Sequence, residues 1–359
     1  MFNYLAYNIN RVSVISMEKY ESKQFGYFVV SLIAIAILVT NLTIAPSRFA
    51  DYFSYVDLFD EYYFFRVETW FFFEPVSTFL FIALKHISKN TMDAVNIAHY
   101  LLGIFYVVFT VCIFKKYQVG WRSILLYFAV FGPLLAFVTI RATPAYLFAL
   151  IAFFESLRAR PVALVYVFLG TLFHMSAILA LVPIILSLAQ ARYSILRWVY
   201  TAGLSTFLVI LALAGLAALL QTYFNEVLYN AISTIPILSR YIVYVTSFNI
   251  NQMDATVDAS TPSEFHFVYL ILTTIFVLTI LTNKSNLCRR SRLFVLASYG
   301  IFLFLQFSPV SAFRQSVFWV LPMIFVFPWA KYTAGRFGAY PMFVVASAIF
   351  LFQLSTVYQ

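Results

Sequence analysis

The sequence predicts an all-α, polytopic membrane protein of about 10–12 transmembrane or re-entrant helices. Three observations carry that prediction. Apolar residues make up 63% of the 359-residue chain and charged residues 10%, with a mean hydropathy of +0.89. So few polar groups could not cover the surface of a soluble domain of this length. Apolar runs long enough to cross about 30 Å of hydrocarbon recur throughout. Basic and acidic residues, finally, segregate to opposite ends of those runs.

The spans follow in order. The first is Gly26–Ala45, and Pro46 directly after it argues for an uncleaved anchor rather than a signal peptide. Pro75–Ile87 is short and flanked by Glu74, Lys85 and His86, so it reads as a re-entrant half-helix or a poor span. Ala94–Phe114 is the next full span. Trp121–Ile140 and Thr143–Leu157 form a hairpin around a short loop at Arg141. Pro161–Ala189 is too long for one span and too short for two, with His174 near its middle. Two short or bent segments meeting at His174 satisfy that length. Trp198–Leu220, Phe267–Leu281, Leu293–Phe307, Gln315–Ala330 and Ala339–Phe352 complete the set. Together they make one integral membrane domain over 1–359, with outer segments at 46–93 and 221–266.

Orientation follows from charge. With the N-terminus in the cytoplasm, the inner side holds Arg11, Lys19, Lys23, Lys115, Lys116, Arg122, Arg158, Arg160, Arg192, Arg197, Lys284, Arg289, Arg290, Arg292, Lys331 and Arg336. That is 16 of the 23 Lys and Arg, joined by only Glu18, Glu21 and Glu155 of the 14 acids. Insertion retains basic loops in the cytoplasm, so this partition selects the orientation. It also requires Pro75–Ile87 not to cross fully, so that Lys115 and Lys116 end inside. The net charge of +9 is therefore a topological signal facing anionic lipid, and calls for no nucleic acid. Cys112 and Cys288 lie near inner span ends, where disulfides rarely persist. No internal repeat, Walker-type loop, HExxH or GxSxG motif is present.

The segment 46–93 mixes Arg48, Asp51, Asp57, Asp60, Glu61, Arg66, Glu68 and Glu74 with aromatics that include Tyr52, Tyr55 and Trp70. Two readings are open. Tyr and Trp favour the headgroup level while acids face water; alternatively, aromatic faces stack on sugar rings and carboxylates accept hydroxyl hydrogen bonds. Arg141, Arg240 and Arg314 stand alone at the outer ends of spans, and His174 lies deep in a span. Snorkelling accounts for an arginine taken singly, and a neutral, hydrogen-bonded imidazole accounts for the histidine. Their convergence on the side that disfavours arginine points to an anionic ligand there. A guanidinium fork suits phosphate, and its charge survives burial. Adjacent carboxylates supply a general base for an attacking sugar hydroxyl. This combination describes glycosyl transfer from a polyprenyl diphosphate. No DxD-like acidic pair offers a metal site, so arginine stabilises the leaving group and neither metal nor cofactor is expected. Among possible bases the order is Glu74, Asp51, His174, because a carboxylate stays ionised at neutral pH without tuning.

An ordered set of short motifs resembles the EpsG-like branch of Wzy-type polysaccharide polymerases, which extend bacterial O-antigens, capsules and exopolysaccharides. The motifs are Asp51-Tyr52-x-x-Tyr55, Glu74-Pro75, the turn Arg141-Ala142-Thr143, Phe173-His174-x-Ser176-Ala177, Ser239-Arg240-Tyr241 with Tyr244, and Phe313-Arg314. The resemblance covers roughly residues 26–330. It departs at Ala142-Thr143-Pro144, where the family commonly has Gln-Gly. It implies a GT-C-type glycosyltransferase of the inner membrane, facing the periplasm. Its substrates would be undecaprenyl-diphosphate-linked oligosaccharide repeat units. It also implies substrate contacts from Arg48, Tyr52, Tyr55, Arg141, Ser176, Arg240, Tyr241, Tyr244 and Arg314, with membrane lipids and a chain-length regulator as further partners.

Two other functions share a multispanning architecture. An O-antigen ligase or acyltransferase typically carries a larger outer loop with its own Arg and His residues, whereas 221–266 reaches a histidine only at its end. A lipid-linked oligosaccharide flippase or transporter places charge near mid-bilayer in paired halves. Here the charges gather toward one face, and no duplication is visible.

Overall fold

The computed structural model describes residues 20–48, 52–53, 55–57, 74–192, 263–283, 286–305 and 309–326, with the single positions 208, 212, 230 and 234. Among these residues every regular element is helical. They comprise α1 (Tyr20–Thr43), α2 (Pro75–Ile87), α3 (Thr91–Tyr117), α4 (Trp121–Pro133), α5 (Thr143–Leu157), α6 (Val162–Phe173), α7 (Leu181–Arg192), α8 (Ser263–Thr282), α9 (Asn286–Phe304) and α10 (Pro309–Val326). Two stretches, Gly26–Thr43 and Thr91–Tyr117, are long and apolar enough to cross a membrane. The expected spans 198–220 and 339–352 lie outside the described residues. The chain divides into two compact units, 1–181 with 324–359, and 182–323, a division that the sequence does not announce.

In the first unit α5 is the central element. It is apolar on every face, and 14 of its 15 residues are buried, as a helix enclosed by others should be. The α5–α6 pair makes the closest helix contact in the unit, and α2, α3 and α1 assemble outward from it. Gly170 on α6 permits that approach. A Cβ there would lie 3.3 Å from the Ala145 carbonyl oxygen and 3.3 Å from the Ala177 Cβ. Tyr106, Phe114, Tyr127, Phe154 and Phe325 interlock as aromatic pairs, including Phe114 edge-on to Tyr127 with ring centroids 5.1 Å apart.

The chain departs from regular α-helix at two points inside apolar runs, a proline and a histidine. Pro133 lacks the N–H that would continue α4, and the chain passes into a π-helical segment, Leu134–Val138. Thr139 N donates to the Leu134 carbonyl at 2.8 Å, and the Thr143 hydroxyl lies 2.7 Å from the Leu135 carbonyl. The Thr139 N–H and the Thr143 hydroxyl satisfy carbonyls that the irregular turn would otherwise strand. The run Pro161–Ala189 is interrupted at His174, as expected: α6 ends at Phe173, His174 is extended (φ −151°, ψ 118°), and a 3₁₀ segment covers Met175–Ala180. The expected short segment at Pro75–Ile87 is a 13-residue helix. Its length of about 20 Å falls short of the ~30 Å hydrocarbon core.

In the second unit two helices begin earlier than apolarity alone places them. α9 starts at Asn286 rather than Leu293, drawing Arg289, Arg290 and Arg292 into the helix. Gln190 of α7 reaches this stretch, donating to the Arg289 carbonyl at 2.7 Å and accepting from Leu293 N at 3.2 Å. It thereby joins two groups that would face one another along the helix ladder. α10 starts at Pro309, so Arg314 occupies a position inside the helix and not one just outside the expected span Gln315–Ala330. Proline at a first helical position is pre-organised for this, since its φ is fixed and its missing N–H would be unpaired there anyway. Tyr299, Phe302 and Trp319 pack together, and the Tyr299 and Thr274 hydroxyls lie 2.6 Å apart.

The α1–α3 contact provides a stability test. A Cβ on Gly103 would fall 2.2 Å from Asn41 Nδ2, and that buried amide reaches the Ala136 carbonyl at 3.4 Å. Gly103→Ala should displace Asn41 and cost about 1–3 kcal/mol, read as a lowered unfolding midpoint of the purified protein.

Candidate functional site

Four of the residues singled out in the sequence meet in the first unit: Glu74, Arg141, His174 and Ser176. Each sits at a helix break or terminus, where backbone geometry is least constrained by the i→i+4 ladder. Glu74 is the residue before Pro75, which disfavours helical geometry for it, and it forms the N-cap of α2 in a non-helical conformation (φ −139°, ψ 61°). Its carbonyl accepts from Thr78 N at 2.9 Å, yet its side chain makes no capping bond. The carboxylate instead turns toward the other two breaks.

Oε2 of Glu74 lies 3.5 Å from Arg141 Nη1, an ion pair without hydrogen-bond geometry. Oε1 accepts the Met175 N–H at 3.3 Å and sits 3.8 Å from His174 Nδ1. The carboxylate is 4% exposed and the Arg141 side chain 18% exposed. A buried carboxylate is tolerated only with a counter-charge and donors, and both are supplied here from distant parts of the chain.

The π segment after Pro133 and the turn Thr139–Ala142 place Arg141 at the entrance of α5. That turn is closed by Ala142 N and Thr143 N, each donating to the Thr139 carbonyl at 2.9 Å. The break at His174 exposes the first N–H groups of the 3₁₀ segment. One goes to Glu74 and the next, Ser176 N, donates to His174 Nδ1 at 3.3 Å. The Ser176 hydroxyl is also hydrogen-bonded to Nδ1. A ring nitrogen that accepts from a backbone N–H carries no proton, so these partners assign the proton of the neutral imidazole to Nε2. Nδ1 is thus occupied, which leaves the Glu74 carboxylate as the stronger candidate base.

The other sequence candidates are placed differently. Tyr52 and Tyr55 are core residues, buried with Phe81, Leu84, Ala94, Val95 and Ile140. The Tyr52 hydroxyl points to the Met92 carbonyl at 3.5 Å, and burial followed by the nearby Asp93 charge raises its pKa above the ordinary 10.0. Neither ring presents the open face that stacking on a sugar requires. Arg48 is exposed, at the end of a short 3₁₀ turn after α1. Arg314 lies on α10 in the second unit. Asp51, Arg240, Tyr241 and Tyr244 lie outside the described residues. Among the described residues no group of three His, Cys, Asp or Glu side chains is placed to share a metal ion.

Sequence reasoning missed Ser77. Its hydroxyl donates to the Phe173 carbonyl at 2.7 Å, tying the first turn of α2 to the last residue of α6 just before the break. The partner lies 96 positions away, and nothing in the Glu-Pro-Val-Ser pattern announces it.

Comparison with known proteins adds no relative: no protein-family model, no curated protein and no solved structure matches the chain.

The ion pair can be tested by a double-mutant cycle. Glu74→Ala should cost about 2–3 kcal/mol, somewhat below the fully buried value because Arg141 keeps some exposure to water. Adding Arg141→Met should recover part of that loss, giving unfolding free energies that are clearly non-additive.

Proposed function

We propose that the chain is a polytopic inner-membrane glycosyltransferase that polymerises undecaprenyl-diphosphate-linked oligosaccharide repeat units on the periplasmic side. Its N-terminus is cytoplasmic, its architecture GT-C-like and its reaction metal-independent. The observation that carries the reading is the buried Glu74 carboxylate, held between the Arg141 guanidinium and the His174–Ser176 break. Those residues belong to three of the six motifs that resemble the Wzy-type polymerases. They lie as far apart in the chain as 74 and 176, yet they meet within hydrogen-bond or ion-pair distance.

The orientation is supported by the two ends of α5. Arg141 enters it, and Glu155, about 21 Å further along the helix, meets Lys116 at 3.6 Å and Arg160 at 3.4 Å. Lys116, Arg158 and Arg160 therefore gather at one end and the Glu74–Arg141 pair at the other, which is the partition that cytoplasmic retention of basic loops demands.

The chemistry follows from the pair itself. Without substrate, Arg141 and Glu74 neutralise each other. An arriving diphosphate competes for the guanidinium, whose planar fork matches two phosphate oxygens. The carboxylate released from that pairing takes the proton of the acceptor sugar hydroxyl as its oxygen attacks the anomeric carbon of the donor glycan. The bond from that carbon to the diphosphate breaks, and the leaving group carries its charge onto Arg141. Ser176 acts by holding the His174 imidazole in one tautomer beside Glu74.

Arg141→Lys keeps the charge that Glu74 needs but loses the fork, so the variant should insert and fold while failing to make long glycan. Glu74→Gln should lower polymerisation by roughly 10²–10⁴-fold, and Arg314→Ala should lose long chains as well. The readout is the glycan chain-length ladder on a gel, with single repeat units accumulating. An unchanged ladder in Arg141→Lys removes the reading, and complete loss of capped lipid core points to a ligase instead.

A further inference from the structure

The other end of α5 holds a second buried carboxylate that the proposed reaction does not use. Glu155 is 2% exposed and accepts the Tyr117 hydroxyl at 2.6 Å. Lys116 Nζ lies 3.6 Å from its Oε1 and Arg160 Nη1 3.4 Å from its Oε2. The Arg158 guanidinium stands 4.8 Å from the centre of the Tyr117 ring, which itself stacks on Phe154 at 4.5 Å. Lys116 is also 5.7 Å from the Tyr166 ring of α6, so the end of α3 meets α6 here. The turn that presents both arginines is held open by Ala159 in the left-handed region (φ 58°) and by Arg158 N and Arg160 N, both donating to the Glu155 carbonyl.

A structural staple between α3 and this turn needs one cation for one carboxylate. Three cations surround Glu155, which leaves two positive charges uncompensated. The excess faces outward: the Lys116 and Arg160 side chains are 49% and 56% exposed, and only one Arg160 guanidinium nitrogen is engaged by Glu155. A guanidinium offers five donors, so most of that fork remains for an external acceptor.

The surface beside the cluster is apolar and exposed. On α3, Ile104, Val108, Val111 and Lys115 recur at three- and four-residue spacing, a single stripe ending in a cation. From Ile104 to Lys115 the helix rises about 16 Å, half the ~30 Å hydrocarbon core and so the depth of one leaflet. On α6, Val165 and Phe168 are likewise exposed, beyond the arginine turn.

We propose that Lys116, Arg158 and Arg160, gathered by Glu155, form a binding site for the head group of an anionic phospholipid whose acyl chains lie along the α3 and α6 stripes. The phosphodiester accepts from the guanidinium forks and the ammonium, and Glu155 holds those side chains in place instead of leaving them to sweep the interface. A site of this kind holds one anionic lipid at a defined place, whereas the general attraction of a basic surface for anionic membranes is spread over the interface. The inference rests on the membrane part of the proposed function and not on glycosyl transfer.

The test titrates phosphatidylglycerol or phosphatidylcholine, with identical acyl chains, into the purified full chain in detergent and counts retained lipid by native mass spectrometry. Phosphatidylglycerol should be retained in preference. Arg158→Gln with Arg160→Gln should weaken that retention by about fivefold per charge removed. Glu155→Gln should weaken it as well, because the cations lose the carboxylate that gathers them; a pure staple predicts no change in lipid preference for any of these variants. Should Glu155→Gln fail to fold, the double arginine variant still decides the matter. Equal retention of the two lipids, or full retention by the double arginine variant, overturns the proposal. So does displacement of phosphatidylglycerol by inorganic phosphate alone, which would mark a site for free anions. Retention of neither lipid overturns the lipid site but not the membrane reading, since detergent strips lipid from membrane proteins, and loss of glycan ladders in Arg141→Lys bears only on the glycosyltransferase.

Discussion

A carboxylate kept out of water sets the terms for everything around it. Glu74 is almost wholly buried, in a unit whose core is mostly aliphatic and aromatic, and desolvating an unpaired charge there would cost several kcal/mol. The surrounding chain is arranged to avoid that cost. Pro75 starts α2 directly after Glu74, the Arg141 turn presents a guanidinium, and the interruption at His174 frees a backbone N–H. Had α6 continued through residue 174, Met175 N would be engaged in its own helix and unable to reach Glu74. The irregularities at 133–141 and 174–176 are thus what makes the carboxylate tenable, and π segments and interrupted helices commonly mark functional positions.

The same logic is repeated at the far end of α5 with the signs weighted differently. Glu74 faces one full cation and a histidine whose acceptor nitrogen is already occupied, so its neighbourhood is nearly balanced. Glu155 faces two ion-pair partners and a third cation across the Tyr117 ring. A balanced pair is easily perturbed by an incoming anion that competes for its cation. An over-compensated carboxylate serves better as an organiser of surplus positive charge. One buried apolar helix separates the two, so each end keeps its own electrostatic character.

The aromatic residues sort by burial and not by composition. Tyr52 and Tyr55 lie in a motif rich in aromatics and acids, which suits a sugar platform and a packed core equally well. Their rings went to the core beside Phe81 and Ile140, because a Tyr side chain is chiefly a large apolar body with one polar atom to satisfy, and Met92 supplies an acceptor for Tyr52. Arg314 diverged for a different reason. Its apolar run begins at residue 315, but the helix begins six residues earlier at Pro309, since a helix start is set by backbone pre-organisation as well as by hydrophobicity.

What the sequence determined alone was helical class, the position of most element ends and the side of the chain on which charge gathers. All of these follow from local properties: apolar run length, proline placement and the spacing of Lys and Arg. The break at His174 was legible for the same reason, because a 29-residue apolar run cannot be one span or two. That Glu74, Arg141 and His174 are partners was suggested only by the order of motifs, and Ser77 and the Glu155 cluster were not legible at all. Those depend on which residues meet in space, from Tyr117 and Glu155, 38 positions apart, to Glu74 and Met175, 101 positions apart. Contacts of that kind are decided by helix packing, where Gly170 lets α6 approach α5 and Gly103 admits Asn41, and no local pattern encodes the meeting.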